Sequence, residues 1–169
     1  DGTSGTVLAC DEALDPRAPP LLYNDDRAVE EAALIAKTAM PGHPAAAVTS
    51  GLSKVLWLKK RLGLTGARLY LNQADWLSGL LTGRVGMTDY HNALKMGLDL
   101  DELKWPAWVE YLADVDYLPV PLPPGARLGT VSRPRARYLG VNPGCMVHAG
   151  TTDSIAAFLA AGVSRSGDA

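Results

Sequence analysis

The sequence is poor in the features that would place it in a specialised class. Of its 169 residues only two are cysteines, Cys10 and Cys145, far apart and flanked by apolar residues. That excludes a disulfide framework and reads as two buried, reduced thiols in a reducing, cytoplasmic compartment. Aromatics are scarce at 7%, and 16 Lys+Arg against 18 Asp+Glu leave a formal charge of -2 with neither sign gathered into a long block. The electrostatics of a nucleic-acid or membrane partner are therefore not built in. No apolar run approaches the ~20 residues needed to span a bilayer, and no basic-then-apolar leader precedes the first polar loop. Metal-like spacing is missing among His43, His91 and His148, and no Gly-x-Ser-x-Gly elbow surrounds Ser4, Ser50 or Ser53, so zinc and serine-hydrolase chemistry have no signature.

What remains is the composition of one ordinary globular domain, 47% hydrophobic and 20% charged. The chain opens at Asp1 without an initiator Met and stops at Gly167-Asp168-Ala169 without a closing element, so we expect part of a larger polypeptide. Thr6 to Cys10 has the length and β-branching of a short buried strand, and Leu21-Leu22-Tyr23 reads as a second. Helical spacing of Val29, Ala32, Ala33, Ile35 and Ala36 predicts a surface helix from Asp26 to Met40, stopped by Pro41-Gly42. Ser50 is the natural N-cap of a helix from Leu52 to Leu62 that Gly63 closes. Leu69 to Leu71 predicts a strand, followed by a helix from Asn72 or Gln73 to Gly83. Thr88 to Gly97 reads as a loop leading into a short helix, and Trp105-Pro106 starts another. The four prolines between Leu118 and Pro124 predict an extended surface connector. Finally Cys145 to Ala149 reads as a buried strand, Gly150 to Ser154 as a polar turn, and Ile155 to Ala161 as an Ala-rich helix packed on the sheet. Alternating strands and helices make this an α/β layer protein.

Ligands of such folds sit beyond the carboxyl ends of strands. Three polar clusters occupy such places: Asp1 to Thr6, Tyr23 to Arg27 and Gly150 to Ser154. The glycines of the first let backbone N–H groups and hydroxyls approach a phosphate or a sugar, although an ordinary tight turn has the same composition. In the second, Asn24 is the ligand candidate, while Asp25, Asp26 and Arg27 suit a solvated helix start. In the third, Asp153 suits either a helix N-cap or a general base taking a proton from a substrate hydroxyl. The four tryptophans, Trp57, Trp76, Trp105 and Trp108, fall at helical positions suited to packing rather than to stacking on a ligand.

The segments Asp1 to Asp11, Pro20 to Asp25, Gln73 to Leu77, Thr88 to Lys95 and Ala149 to Leu159 resemble, in order and approximate spacing, the FGGY carbohydrate kinases. The nearest likeness is to the D-ribulose kinases of cyanobacteria and plants, enzymes similar to xylulokinases. The resemblance implies an actin-like ATPase (ribonuclease H-like) fold, with residues 1-169 forming most of the sugar-binding first domain, truncated at both ends. Catalysis with ATP and Mg²⁺ would then depend largely on regions outside this chain, and the fragment alone would be inactive. It further implies that Asp153 is the base that deprotonates the attacking sugar hydroxyl. By the same resemblance Ser4 would bind the sugar from the first loop, with Thr3, Gly5, Asn24 and Asp75 as further substrate-binding residues. In a plant the compartment would be the plastid. Asp-Gly-Thr-Ser-Gly-Thr also looks like the phosphate hairpin that opens actin-like ATPase domains. The Leu-Leu-Tyr-Asn-Asp that follows belongs instead with the sugar loop. Xylulokinases carry Gln-Met-His-Gly where Thr3-Ser4-Gly5-Thr6 stands here, so their sugar does not transfer directly. The expected reaction is phosphorylation of a ketopentose, D-ribulose first. The alternatives are a non-catalytic sugar-binding module or a kinase for another pentulose or polyol such as xylulose.

Overall fold

Strand β1 (Val7–Cys10) is apolar and buried at every position, so it needs cover on both faces and partners on both edges. Antiparallel β2 (Leu69–Asn72) occupies one edge, with Val7 opposite Asn72 and Cys10 opposite Leu69. The other edge meets the returning chain only at Leu21 and Pro16. These features come from a computed structural model that describes residues 1–63, 67–162, 165 and 167; the predicted end at Asp168 and Ala169 lies outside them. The expected strand at Leu21-Leu22-Tyr23 reduces to that single bridge, because Pro19 and Pro20 supply no N–H before it and the chain turns after it, Asp25 N donating to Leu22 O at 2.9 Å.

Helix α2 (Gly51–Leu62) covers β1, and α1 (Val29–Thr38) packs on α2. Helix α1 is shorter than its apolar pattern suggested and buries only Glu31, Ala32 and Ile35. The second matches its prediction closely: Ser50 Oγ accepts from Ser53 N at 3.2 Å, and Gly63 terminates it in a positive-φ conformation. Val7, Ala9, Ile35, Leu52, Val55, Leu58, Tyr70, Met96 and Val109 form the core between these elements. The tryptophans are half-buried around it; Trp76 donates its indole N–H to Leu14 O at 2.8 Å.

Beyond β2 the alternation continues, with a short strand where a loop was expected at Thr88. Helix α3 (Gln73–Thr82) ends at left-handed Gly83, and strand β3 (Met87–Asp89) leads into α4 (Tyr90–Leu94). Pro106 caps α5 (Ala107–Leu112). The proline-rich connector is in part a strand, β4 (Val120–Leu122), parallel to β3 with Val120 opposite Met87. Pro121 is tolerated because β4 pairs on one side only. A hairpin of β5 (Arg127–Thr130) and β6 (Met146–His148) encloses α6 (Arg133–Leu139), and α7 (Asp153–Ala160) follows.

Two burial expectations need correcting. Strand β6 is half-exposed rather than buried, since it pairs with β5 alone, and Cys145 beside it is exposed while Cys10 is buried. Helix α7 buries no residue on the rest of the chain. Among the described residues no helix is long and apolar enough to cross a membrane.

The core is closed where α5 crosses the turn after α4. Gly97 has φ +99° there, and a Cβ would fall 2.6 Å from Val109 Cγ2 and 2.9 Å from Trp108 Cη2. Gly97→Ala is therefore expected to cost about 2–4 kcal/mol, combining a strained backbone with overpacking. Gly125→Ala, at φ +84° with nothing within 4 Å, should cost about 1 kcal/mol. Urea unfolding of both variants checks the difference.

Candidate functional site

A buried lysine of α2 organises the loops. Lys54 lies on the face of α2 that carries Ser50 and Leu58, one turn away on either side, and is fully buried. Its ammonium donates to Gly5 O at 2.7 Å, Leu22 O at 2.6 Å and Tyr23 O at 3.2 Å. One side chain thus binds the Asp1–Thr6 loop to the loop carrying Asn24. Burial pushes its pKa down to about 8, Asp25 opposes that shift, and the charge of Lys95 adds to it. At pH 7 the group is still mainly charged, as three carbonyl acceptors require. The signal was present in the helical periodicity, which puts Lys54 on the inner face; the usual exposure of lysine hid it.

The first and third polar clusters meet. Gly2 lies in a parallel bridge beside Thr152; Gly2 N donates to Thr151 O at 3.3 Å and Asp153 N donates to Gly2 O at 3.1 Å. The approach is tight: a Cβ at Gly150 would stand 3.2 Å from Asp1 N. Paired segments lie ~4.8 Å apart, so the Cα atoms of Ser4 and Asp153 are no more than about 16 Å apart along this route. They are 149 positions apart in sequence. Ser4 is buried and its Oγ accepts from Lys95 Nζ at 2.7 Å. Thr3 O accepts the N–H of Thr6 at 3.4 Å, and Gly5 takes a positive φ of +81° with Thr49 O 3.0 Å from where a Cβ would be.

Asp153 is the first residue of α7, and the N-cap position belongs to Thr152. The N-cap reading of Asp153 is thus one residue out of place. Its carboxylate is exposed and accepts from Ser154 N at 2.8 Å. The turn in front of it is held by His91, whose Nδ1 lies 2.6 Å from Thr151 Oγ1. Asn24 is exposed on the turn after Leu21, next to the Tyr23 carbonyl that Lys54 holds.

Asp75 is placed differently, buried under the loops in a polar layer with Asn72, Thr88, Asp89 and Asn92. Its Oδ2 accepts from Asn72 N at 3.2 Å and Asn72 Nδ2 at 2.9 Å, fixing the start of α3, whose first N–H, at Gln73, reaches Thr6 O at 3.1 Å. Asp89 performs the same service for α4, accepting from His91 N and Asn92 N at 3.0 Å. Burial pushes the Asp75 carboxyl up to about 7, against hydrogen bonds from Asn72 and Thr88 and with help from the Asp89 charge. Lys54, Lys95 and His91 are the polar residues of this region that sequence reasoning passed over. Among the described residues no group of three or more His, Cys, Asp or Glu is placed to hold a metal ion.

No family model matches the sequence. Solved structures do match. Xylulose kinase from Rhodospirillum rubrum superposes with a TM-score of 0.84 at 24% identity, over 96% of this chain and 35% of that one. Gluconate kinase from Lactobacillus acidophilus gives 0.75 at 20% identity, over 90% and 33%. Glycerol kinase from Plasmodium falciparum, solved with ADP, gives 0.72 at 18%, over 90% and 33%. The chain carries part of the actin-like sugar kinase fold. At these identities the likeness concerns the fold alone, and the chain spans about a third of the length of those structures.

The raised Asp75 carboxyl sets a pH dependence. Its pKa is about 7 folded against an ordinary 3.8, so the folded state holds the extra proton between those values. Its stabilising contribution is complete below about pH 4 and is lost as pH rises toward 7, at up to ~1.4 kcal/mol per pH unit. Asp75→Asn keeps the shape and should flatten that slope in denaturant unfolding at several pH values. A variant with the wild-type slope would refute the assignment.

Proposed function

We propose that the chain is the sugar-binding part of the first domain of an ATP-dependent carbohydrate kinase, and that its acceptor is a ketopentose, D-ribulose first. The observation that carries this reading is the backbone stitching of Gly2 to Thr151 and Asp153. It sets a buried hydroxyl, Ser4, and an exposed carboxylate, Asp153, on neighbouring segments. In this reading one small polyol is held at one end and deprotonated at the other. The order of motifs supports the same reading. So does the superposition on xylulose, gluconate and glycerol kinases.

In this proposal Ser4, Thr3, Gly5 and Asn24 bind the sugar, and the Lys54 cage keeps their two loops in register. Asp75 acts from below by fixing the start of α3 against the Thr6 carbonyl. Asp153 accepts the proton of the attacking hydroxyl, and holding that hydroxyl beside a fixed base converts a bimolecular encounter into a local step. His91 and Thr151 keep the carboxylate's turn in place. ATP with Mg²⁺ is the phosphoryl donor. The residues described here form no metal cluster that fits the ion, and the proposal assigns its binding to segments beyond this chain. In-line transfer leaves the protein mainly positioning to do, which suits a site made of loops fixed by backbone hydrogen bonds.

In the full-length protein Asp153→Ala should lower kcat by about 10²–10⁴-fold, the range for a positioned acid or base, with a smaller change in sugar affinity. A near-normal rate would reject Asp153 as the base. Ser4→Ala should raise KM for the sugar more than it lowers kcat, since it removes a ground-state contact. A change confined to the KM for ATP would reject Ser4 as a sugar ligand. Steady-state kinetics with both substrates varied decides both points.

A further inference from the structure

Charge is unevenly spread along the second half of the chain. The end of α5 and the turn after it carry Glu110, Asp114 and Asp116 with no basic residue among them. Between residues 119 and 152 the charged side chains are Arg127, Arg133, Arg135 and Arg137, with no acid. The three arginines of α6 are exposed, and Arg133 and Arg135 stand in its first turn, where a helix favours acids. Local stability therefore gives no account of them. Only Ala136 of α6 is buried; Arg133 and Arg137 are neighbours one turn apart on its surface, as are Arg135 and Tyr138.

Each charged set includes an exposed tyrosine, Tyr111 and Tyr138, both 82% exposed. Tyrosine and arginine are the residue types enriched where proteins bind one another. Within one molecule the two sets do not meet. Among the described residues every ion pair involves other side chains, and Asp114 is used only locally, accepting from Asp116 N at 3.2 Å.

We propose that the Arg133–Leu139 surface of one copy of this protein binds the surface of residues 110–116 on a second copy, head to tail. Charge complementarity chooses the occupant: three arginines without counter-ions face three acids without counter-ions, and the two tyrosines supply apolar contact between them. Two different patches meet, so the contact is heterologous and either closes into a ring or continues as a chain. Each patch has seven residues, against the roughly 20–30 a side of a stable interface, which makes the association weak and salt-sensitive. The inference does not depend on the sugar kinase reading.

Sedimentation velocity of the full-length protein from about 10 to 500 µM tests it. In about 20 mM salt the mean sedimentation coefficient should rise with concentration, and in about 500 mM salt it should stay at the monomer value. Arg133→Glu, Arg135→Glu and Arg137→Glu combined should weaken association about tenfold or more, and so should Glu110→Lys with Asp116→Lys. All five side chains are exposed, so both variants should melt like the wild type. Mixing the two charge-reversed proteins should restore association, because each supplies the patch the other lacks. A wild type that stays monomeric in low salt would overturn the proposal, as would an arginine variant that associates like the wild type or a mixture of the folded variants no more associated than its components. A monomeric wild type whose α6 arginines bind polyglutamate would assign the surface to an acidic partner and likewise overturn self-association.

Discussion

One buried ammonium holds the two loops of this structure in register. Taking a lysine out of water costs several kcal/mol unless its donors are met, and Lys54 meets all three on backbone carbonyls from two separate loops. The loops that precede and follow β1 have no strand ladder of their own, only isolated bridges at Gly2, Pro16 and Leu21. The lysine supplies the cross-link that a wider sheet would give. It also places a positive charge directly behind the Gly5–Thr6 peptide, with Lys95 adding a second at Ser4.

A second constraint comes from the polar layer under these loops. Asp75 and Asp89 each sit at a helix start and satisfy N–H groups that would otherwise be orphaned. Their burial fixes where α3 and α4 begin, hence where Gln73 meets Thr6 and where Lys95 leaves α4 to reach Ser4. Ser4 and Asn24 stand on loops and Asp153 opens α7, while the buried acids fix the helix starts beneath them. Asp153 is accordingly exposed, while Asp75, in the polar layer beneath the loops, is buried.

Local signals in the sequence were reliable where the chemistry was local. Ser50 with Gly63, and Asn72 with Gly83, marked the ends of α2 and α3 because caps depend on near neighbours. The resemblance of the ordered segments led to the correct fold. The sequence was silent on β5 and α6, since α6 buries only Ala136 and is rich in arginine, leaving no apolar stripe to read. It overstated the burial of β6, whose apolar run lacks cover on this chain, and of its two readings of Asp153 the N-cap falls instead to Thr152. That Asp1–Thr6 meets Thr151–Asp153 is a tertiary fact, and so is the reach of Lys95 to Ser4. No periodicity within one segment encodes either.

The contrast between the two thiols has a practical side. Cys10 lies inside β1, and burial with the charges of Asp11 and Asp15 pushes its pKa up to about 11, so it is a poor nucleophile toward alkylating reagents. Cys145 is exposed at the entry to β6, eight positions before Asp153. A maleimide dye or nitroxide would accordingly attach at one place, giving a spectroscopic reporter at the foot of the carboxylate's turn without any engineered residue.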